Sequence, residues 1–247
     1  MLEVRDLVVY YENALAVNEI SIDVTDGEVV GLFGSNSAGK TTLLNTIAGL
    51  TNHLRRREQI KGGTRITISG SIMMKGEEIR GLKPSERVAK GLYLCRERHP
   101  VFRDNTVEEN LRLGGYLRSR AEIAEKMEDV YTLFPALKRL RNGKAGMLSG
   151  GEQEMVAIGT ALMSRPDLLL MDEPLLGLSP AMQDEVVGAI EQIGRSDVTV
   201  LVSEQFARPL MPVISRAYIL ENGTVTMSGT SEELADNPDV RAAYLGA

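Results

Sequence analysis

One cysteine, Cys95, is all that 247 residues supply, so no disulfide framework can form within the chain, and a reducing compartment is the fitting one. Cys95 reads as a small strand residue and not as a nucleophile. Long apolar runs are missing: none approaches the roughly 18 residues that a membrane-crossing helix needs. The opening Met1-Leu-Glu-Val-Arg-Asp6 is charged by its third position and does not build the apolar centre of a secretory leader. A cytosolic or membrane-peripheral chain is therefore expected, with any membrane work left to another polypeptide. Excess basic charge is missing too. With 28 Lys and Arg against 34 Asp and Glu, a formal net charge of −6 argues against nucleic acid as a partner. One local exception, Arg55-Arg56-Arg57, reads either as a solvated loop or as a phosphate-contacting patch. Histidines number two, His53 and His99, each read as a solvated loop residue and not as a ligand or base.

What is present is ordinary globular material. Hydrophobic residues at 43% and charged residues at 25% suffice for one large domain or two small ones with a sizeable core. Leu2–Val4, Leu7–Val9 and the alternating Ile20–Val24 read as strands before a turn at Asp26-Gly27. Val29–Phe33 is continuously apolar, as a strand buried on both faces is. Leu43, Leu44, Ile47 and Ala48 then fall at helical spacing. Thr51–Arg65, polar and ending in Gly62-Gly63, reads as a loop or insertion. Ile66–Ile68 and Ser71–Met74 read as strands that pair with each other. From Thr106 to Leu140 the period turns helical, with Ile123, Met127, Val130, Phe134 and Leu137 on one stripe. Leu168–Met171 and Val198–Val202 are buried-strand candidates, and Ala217–Leu220, Asn222-Gly223, Val225–Met227 predicts a hairpin on a type I′ turn. The expected fold class is α/β, and no internal repeat or low-complexity tract interrupts it.

Gly34-Ser35-Asn36-Ser37-Ala38-Gly39-Lys40-Thr41 matches G-x-x-x-x-G-K-[ST] and lies between a predicted strand and a predicted helix. A chance match in a chain this long is roughly a one-in-a-hundred event, and the strand–loop–helix setting makes it rarer. Backbone N–H groups of such a loop, with the positive end of the helix, surround phosphates. Lys40 would reach the β- and γ-phosphates, and the Thr41 hydroxyl would hold Mg²⁺. Asp172 ends an apolar run at the expected C-terminal edge of a parallel sheet and would bind the same Mg²⁺ through water. Glu173 follows it and would polarise the attacking water; as a bland alternative it is a surface carboxylate before Pro174. Ser149-Gly150-Gly151-Glu152 is a capping box for a helix carrying Met155, Ile158 and Leu162. A helix opened by two glycines also offers amides to an anion. The chain has no second phosphate loop, so that anion would be a γ-phosphate on another subunit.

The whole chain resembles an ATP-binding cassette subunit, most closely the shorter of the two ATPase subunits in branched-chain amino-acid importers. Tyr11, Gly34–Thr42, Phe102 with Thr106–Leu111, and Leu148–Ile158 carry the resemblance. Ala161–Ser164, Asp172–Pro174, Gly177-Leu178, Ser203–Gln205 and Ala243–Gly246 extend it. It implies a P-loop core with an antiparallel β subdomain and an inserted α-helical subdomain, the core near residues 1–98 and 162–247 and the insert near 99–161. It implies that Tyr11 stacks on adenine and that Thr42 joins the phosphate loop. Glu97 falls at the position that senses the γ-phosphate and the membrane partner, and Arg98–Phe102 would face the groove for a coupling helix. Gly177–Pro180 would cross the dimer seam. Gln205 sits at the switch position, where an amide can hydrogen-bond a phosphate oxygen but cannot titrate near neutral pH. Implied partners are a second ATPase subunit, identical or different, integral membrane permease subunits and, indirectly, a solute-binding protein. The implied place is the inner face of the cell membrane.

Several residues depart from the family pattern. Ser37 replaces a glycine; if φ is positive there, strain near 1 kcal/mol is expected. Glu12 follows Tyr11 where glycine is usual, Arg96 stands where proline is usual and Thr160 where arginine is usual. The Thr51–Arg65 segment is longer than usual. A soluble cassette acting as an assembly scaffold or regulatory subunit is the competing reading, and intact Glu173 weighs against a degenerate subunit. A DNA-repair or chromosome-organising ATPase would need a coiled coil or paired cysteines between Leu43 and Met147, and neither is there.

Overall fold

In the computed structural model, which describes residues 1–63, 65–98 and 100–246, strands divide between two sheets. The chain opens with β1 (Leu2–Tyr11), β2 (Ala14–Val24) and β3 (Val29–Phe33), then α1 (Lys40–Ile47) and α2 (Leu50–Ile60). β4 (Ile66–Met74), β5 (Glu77–Glu78), α3 (Pro84–Ala89) and β6 (Leu92–Cys95) follow. Four helices come next: α4 (Val107–Gly114), α5 (Arg120–Leu133), α6 (Pro135–Leu140) and α7 (Gly150–Met163). β7 (Leu168–Asp172), α8 (Pro180–Arg195), β8 (Thr199–Glu204), β9 (Arg216–Glu221), β10 (Thr224–Thr230) and α9 (Ser231–Asp236) complete the framework.

The larger sheet runs β10-β9-β3-β8-β7-β6, with β9, β3, β8, β7 and β6 parallel and β10 antiparallel on the edge. Every residue of β3, β7 and β8 is buried, which is why these strands read as unbroken apolar runs and not as alternation. The smaller sheet, β2-β1-β4-β5, is antiparallel and does alternate: Leu2, Val4, Leu7 and Val9 of β1 face inward. Two apolar layers sandwich the larger sheet. One joins it to the smaller sheet and α1; the other joins its opposite face to α4, α5, α7 and α8.

The helical stripe is where its spacing put it, with Met127, Val130, Phe134 and Leu137 buried and Ile123 packed against them. Asn222 and Gly223 both have positive φ, 49° and 81°, the geometry a type I′ hairpin needs. Three expectations need correction. Residues 51–60 are not a loop, since α2 runs through Leu50–Ile60, so the three arginines and His53 are helical. Gly62 (φ 80°) closes α2: its N–H bonds Gln59 O (3.0 Å) and the Gly63 N–H bonds Glu58 O (2.9 Å), a Schellman ending. Its mostly polar sequence hid it, because helix propensity without an apolar stripe leaves no periodic signal. Second, 66–68 and 71–74 do not pair with each other but form one strand, β4, bent at Gly70 and paired along β1. Third, 2–4 and 7–9 are likewise one strand, with a bulge where Asp6 takes φ 47° and its N–H bonds Ser21 Oγ (2.9 Å).

Candidate nucleotide site

β3 ends at Phe33 and the chain turns at once into the Gly34–Gly39 loop, whose last residue (φ 107°) is the N-cap of α1. Only glycine fits at two of its corners. A Cβ on Gly34 would lie 2.4 Å from Leu220 O, and one on Gly39 would lie 2.7 Å from Ala16 O. Lys40, 3% exposed, gives hydrogen bonds to the loop carbonyls of Gly34 (2.8 Å) and Ser35 (3.2 Å). Its Nζ also lies 3.0 Å from Glu173 Oε1, and Glu173 is 9% exposed. The bland reading of Glu173 as a surface carboxylate therefore falls.

The parallel register puts Asp172 beside Ser203 at the carboxyl edge of the sheet. Asp172 Oδ1 accepts from Ser203 Oγ (2.8 Å) and Thr41 Oγ1 (3.2 Å). Burial raises the Asp172 carboxyl above its ordinary range, while those two hydroxyls pull it back down. A hydroxyl and a carboxylate converging beside a phosphate loop are the hard oxygen donors that Mg²⁺ takes. Glu173 adopts φ 50°, and its N–H bonds Ser203 O (3.0 Å), which turns its side chain toward Lys40 and away from the line of β7.

A cavity of about 470 Å³ opens here, lined by Ala16, 36–42, Glu97, Arg98, Glu173 and Leu176. Asn36–Gly39 of the sequence-predicted loop, Lys40, Thr41, Thr42, Glu97 and Glu173 thus share one concave surface, with Asp172 bonded to its edge, while Gly34 and Ser35 are outside that lining and hold Lys40 by their carbonyls. Other predicted residues lie elsewhere. Ser149–Glu152 forms its capping box: the Ser149 N–H bonds Glu152 Oε2 (2.9 Å) and the Glu152 N–H bonds Ser149 Oγ (3.4 Å). Gly151 has a packing reason as well, since a Cβ there would meet Met182 Cε at 2.4 Å. Gln205, half-buried just past β8, and Tyr11, at the end of β1, do not line the cavity. His99 lies outside the described residues.

A family model described as ABC transporter matches residues 17–176, more than half of the chain. The chain belongs to the ABC transporter family. As an ATP-binding cassette of that family it is an ATP hydrolase. It is 42% identical over 246 residues to the high-affinity branched-chain amino acid transport ATP-binding protein BraG of Pseudomonas aeruginosa, covering 100% of both chains. It is also 32% identical to the lipopolysaccharide export system ATP-binding protein LptB of Acidithiobacillus ferridurans, covering 100% of this chain and 97% of that one. Among solved structures, the ADP conformation of an ATP-binding cassette superposes with a TM-score of 0.79 at 26% identity, covering 100% of this chain and 99% of that one.

The cassette keeps two departures that have a structural cost. Ser37 takes φ 68° and Glu12 φ 55°, both in the region that glycine occupies without strain. Sequence reading assigned no role to Ser203, Glu204 or Ala16, and it expected Arg98 at a groove for a membrane partner, whereas Arg98 lines the phosphate cavity. Glu204 is buried and its Oε1 accepts the Leu175 N–H (2.7 Å), tying β8 to the turn that follows Glu173. Its carboxyl is pushed up to about 8, chiefly by burial, with the charge of Glu173 adding to it. Its only sequence signal was a carboxylate closing a strand whose centre, Val200–Val202, is apolar.

Proposed function

We propose that this cassette powers import of a small solute, such as a branched-chain amino acid, through separate membrane subunits at the inner face of the cell membrane. Full-length identity of 42% to BraG is the observation that carries this reading. In it the Gly34–Thr42 loop holds the phosphates of ATP, Lys40 the β- and γ-phosphates, and Tyr11 the adenine. Thr41 and Asp172 hold Mg²⁺, which supplies charge neutralisation on the phosphates when bound. Phosphate oxygens replace Glu173 at Lys40, freeing that carboxylate to orient water. Glu97 and Gln205 sense the γ-phosphate, and Ser149–Glu152 offers helix-end amides to ATP held by a second cassette.

The same reading divides the chain into a core (1–98 and 162–247) and a helical subdomain (99–161) that moves as ATP binds. Permease subunits seat against Arg98–Phe102, and a solute-binding protein delivers cargo to them from outside. The test is uptake of labelled leucine by cells in which this gene is replaced by its Glu173→Gln form. Uptake should fall to background. Identity to LptB favours a second reading, export; normal uptake with defective lipopolysaccharide export would select it.

A further inference from the structure

Tyr11 does not face solvent alone. The inward row of β1, Leu2, Val4, Leu7 and Val9, ends in Tyr11, and its strand partners Ala14 and Ile66 share that face. Two residues further along β2, about 7 Å by strand rise, Ala16 lines the phosphate cavity with its carbonyl against Gly39. The phosphate cavity and Tyr11 therefore lie on one continuous surface. Beyond Tyr11 lies a second, open hollow of about 310 Å³, with Tyr11 and Ile66 on one side and Leu54, Arg57 and Glu58 of α2 and its C-cap Lys61 on the other.

α2 is held firmly enough to act as a wall. Thr46 Oγ1 bonds Thr51 Oγ1 (2.9 Å) at its start, the Asn52 amide bonds Arg80 O, and Arg56 Nη2 bonds Gly81 O (2.8 Å). Arg56 is spent on this anchoring. Arg57 and Lys61, by contrast, form no ion pair among the described residues, although Glu58 stands beside them. The hollow thus combines an aromatic ring, two aliphatic side chains, two uncommitted cations and the Glu58 carboxylate, whose Oε2 is buried without a hydrogen-bond partner. That set suits a flat, polarisable, electron-rich ring: apolar groups take its faces and edges, and a guanidinium stacks on it through cation–π contact. A bare inorganic anion would have no use for Tyr11, Leu54 and Ile66.

We propose that α2 forms the far wall of the nucleobase site, with Arg57 stacking on the base held by Tyr11 and Lys61 closing its rim. This rests on the reading of Tyr11 as the base contact. It makes the long 51–65 segment a specificity element of the ATP site and not a surface ornament.

The test titrates ATP and inorganic tripolyphosphate, each with magnesium, onto the full chain and its variants by calorimetry. Arg57→Ala should weaken ATP about three- to tenfold and leave tripolyphosphate unchanged, with Arg57→Lys recovering part of the loss. Equal weakening of both ligands would mean that Arg57 serves the phosphates, and no change in either would mean that α2 is remote from the nucleotide; each overturns the proposal. Tyr11→Ala separates the two readings. If it alone weakens ATP, the wall fails and the Tyr11 reading stands; if Arg57→Ala alone weakens ATP, the Tyr11 reading fails and the stacking of Arg57 against a Tyr11-held base fails with it.

Discussion

Two regions that the sequence marks equally clearly are built in opposite ways. Around Lys40 the functional groups are buried and paired within the chain: Lys40 to Glu173, and Asp172 to Ser203 and Thr41. Around Ser149 the capping box is closed and the Gln153 amide bonds the carbonyls of Ala145 and Leu148, on a surface where neighbouring Met147 is 86% exposed. The first region is preorganised, because its charges find partners in their own fold before any ligand arrives. The second has a structural job that is complete, and the function proposed for it needs a second cassette. A motif can therefore be equally legible in sequence and yet unequal in what one chain can do with it.

The largest break in that comparison comes from the preorganised end. Glu173→Gln should lower steady-state phosphate release at least 100-fold, within the range for a removed general base, while ATP binding persists. Normal turnover in that variant would remove Glu173 from the water-activating role.

Glu204 sharpens the same end through pH. Its folded value near 8 lies above the ordinary 4.5, so the native state holds a proton that the unfolded chain releases. The stability this gives is full below about pH 4.5 and is lost as pH rises through about 8, a change on the order of a few kcal/mol. Glu204→Gln should flatten this slope, read as thermal midpoint against pH. An unchanged slope would assign the pH dependence to other groups.

At the other end, Ser149→Ala removes a cap worth about 1 kcal/mol, so the melt should shift modestly. Nucleotide affinity of the isolated chain should stay the same, and hydrolysis in the paired assembly should fall. Loss of affinity in the isolated chain would erase the contrast between the two regions. Smallest of all, Ser37→Gly should relieve a φ of 68° and stabilise by up to about 1 kcal/mol, measured by denaturant midpoint.

The preorganised end was legible because its signals are local. A buried strand, a glycine loop and a helix stand in nineteen residues, 29–47, and the four apolar residues of β7 that precede it announce Asp172. α2 was not legible, since nothing about its sequence says that Thr51 is buried or that Arg56 anchors to Gly81. The 16-residue helix α8 was left unassigned although its buried side, Val186, Ala189, Ile190 and Ile193, falls at helical spacing. The carboxylate–hydroxyl bond from Ser203 to Asp172 depends on register between strands 31 positions apart, which local pattern does not encode. Tyr11 entered as an adenine contact only through family likeness; the structure places it at the end of β1, against α2 and outside the lining of the phosphate cavity.

The half-site claim has one direct measurement. The Glu173→Gln chain is mixed with its partner cassette and magnesium, and association is followed by sedimentation with and without ATP. The account predicts tight pairing only with ATP, abolished when Ser149 is replaced by arginine. Pairing that ignores ATP, or no pairing at all, would contradict it.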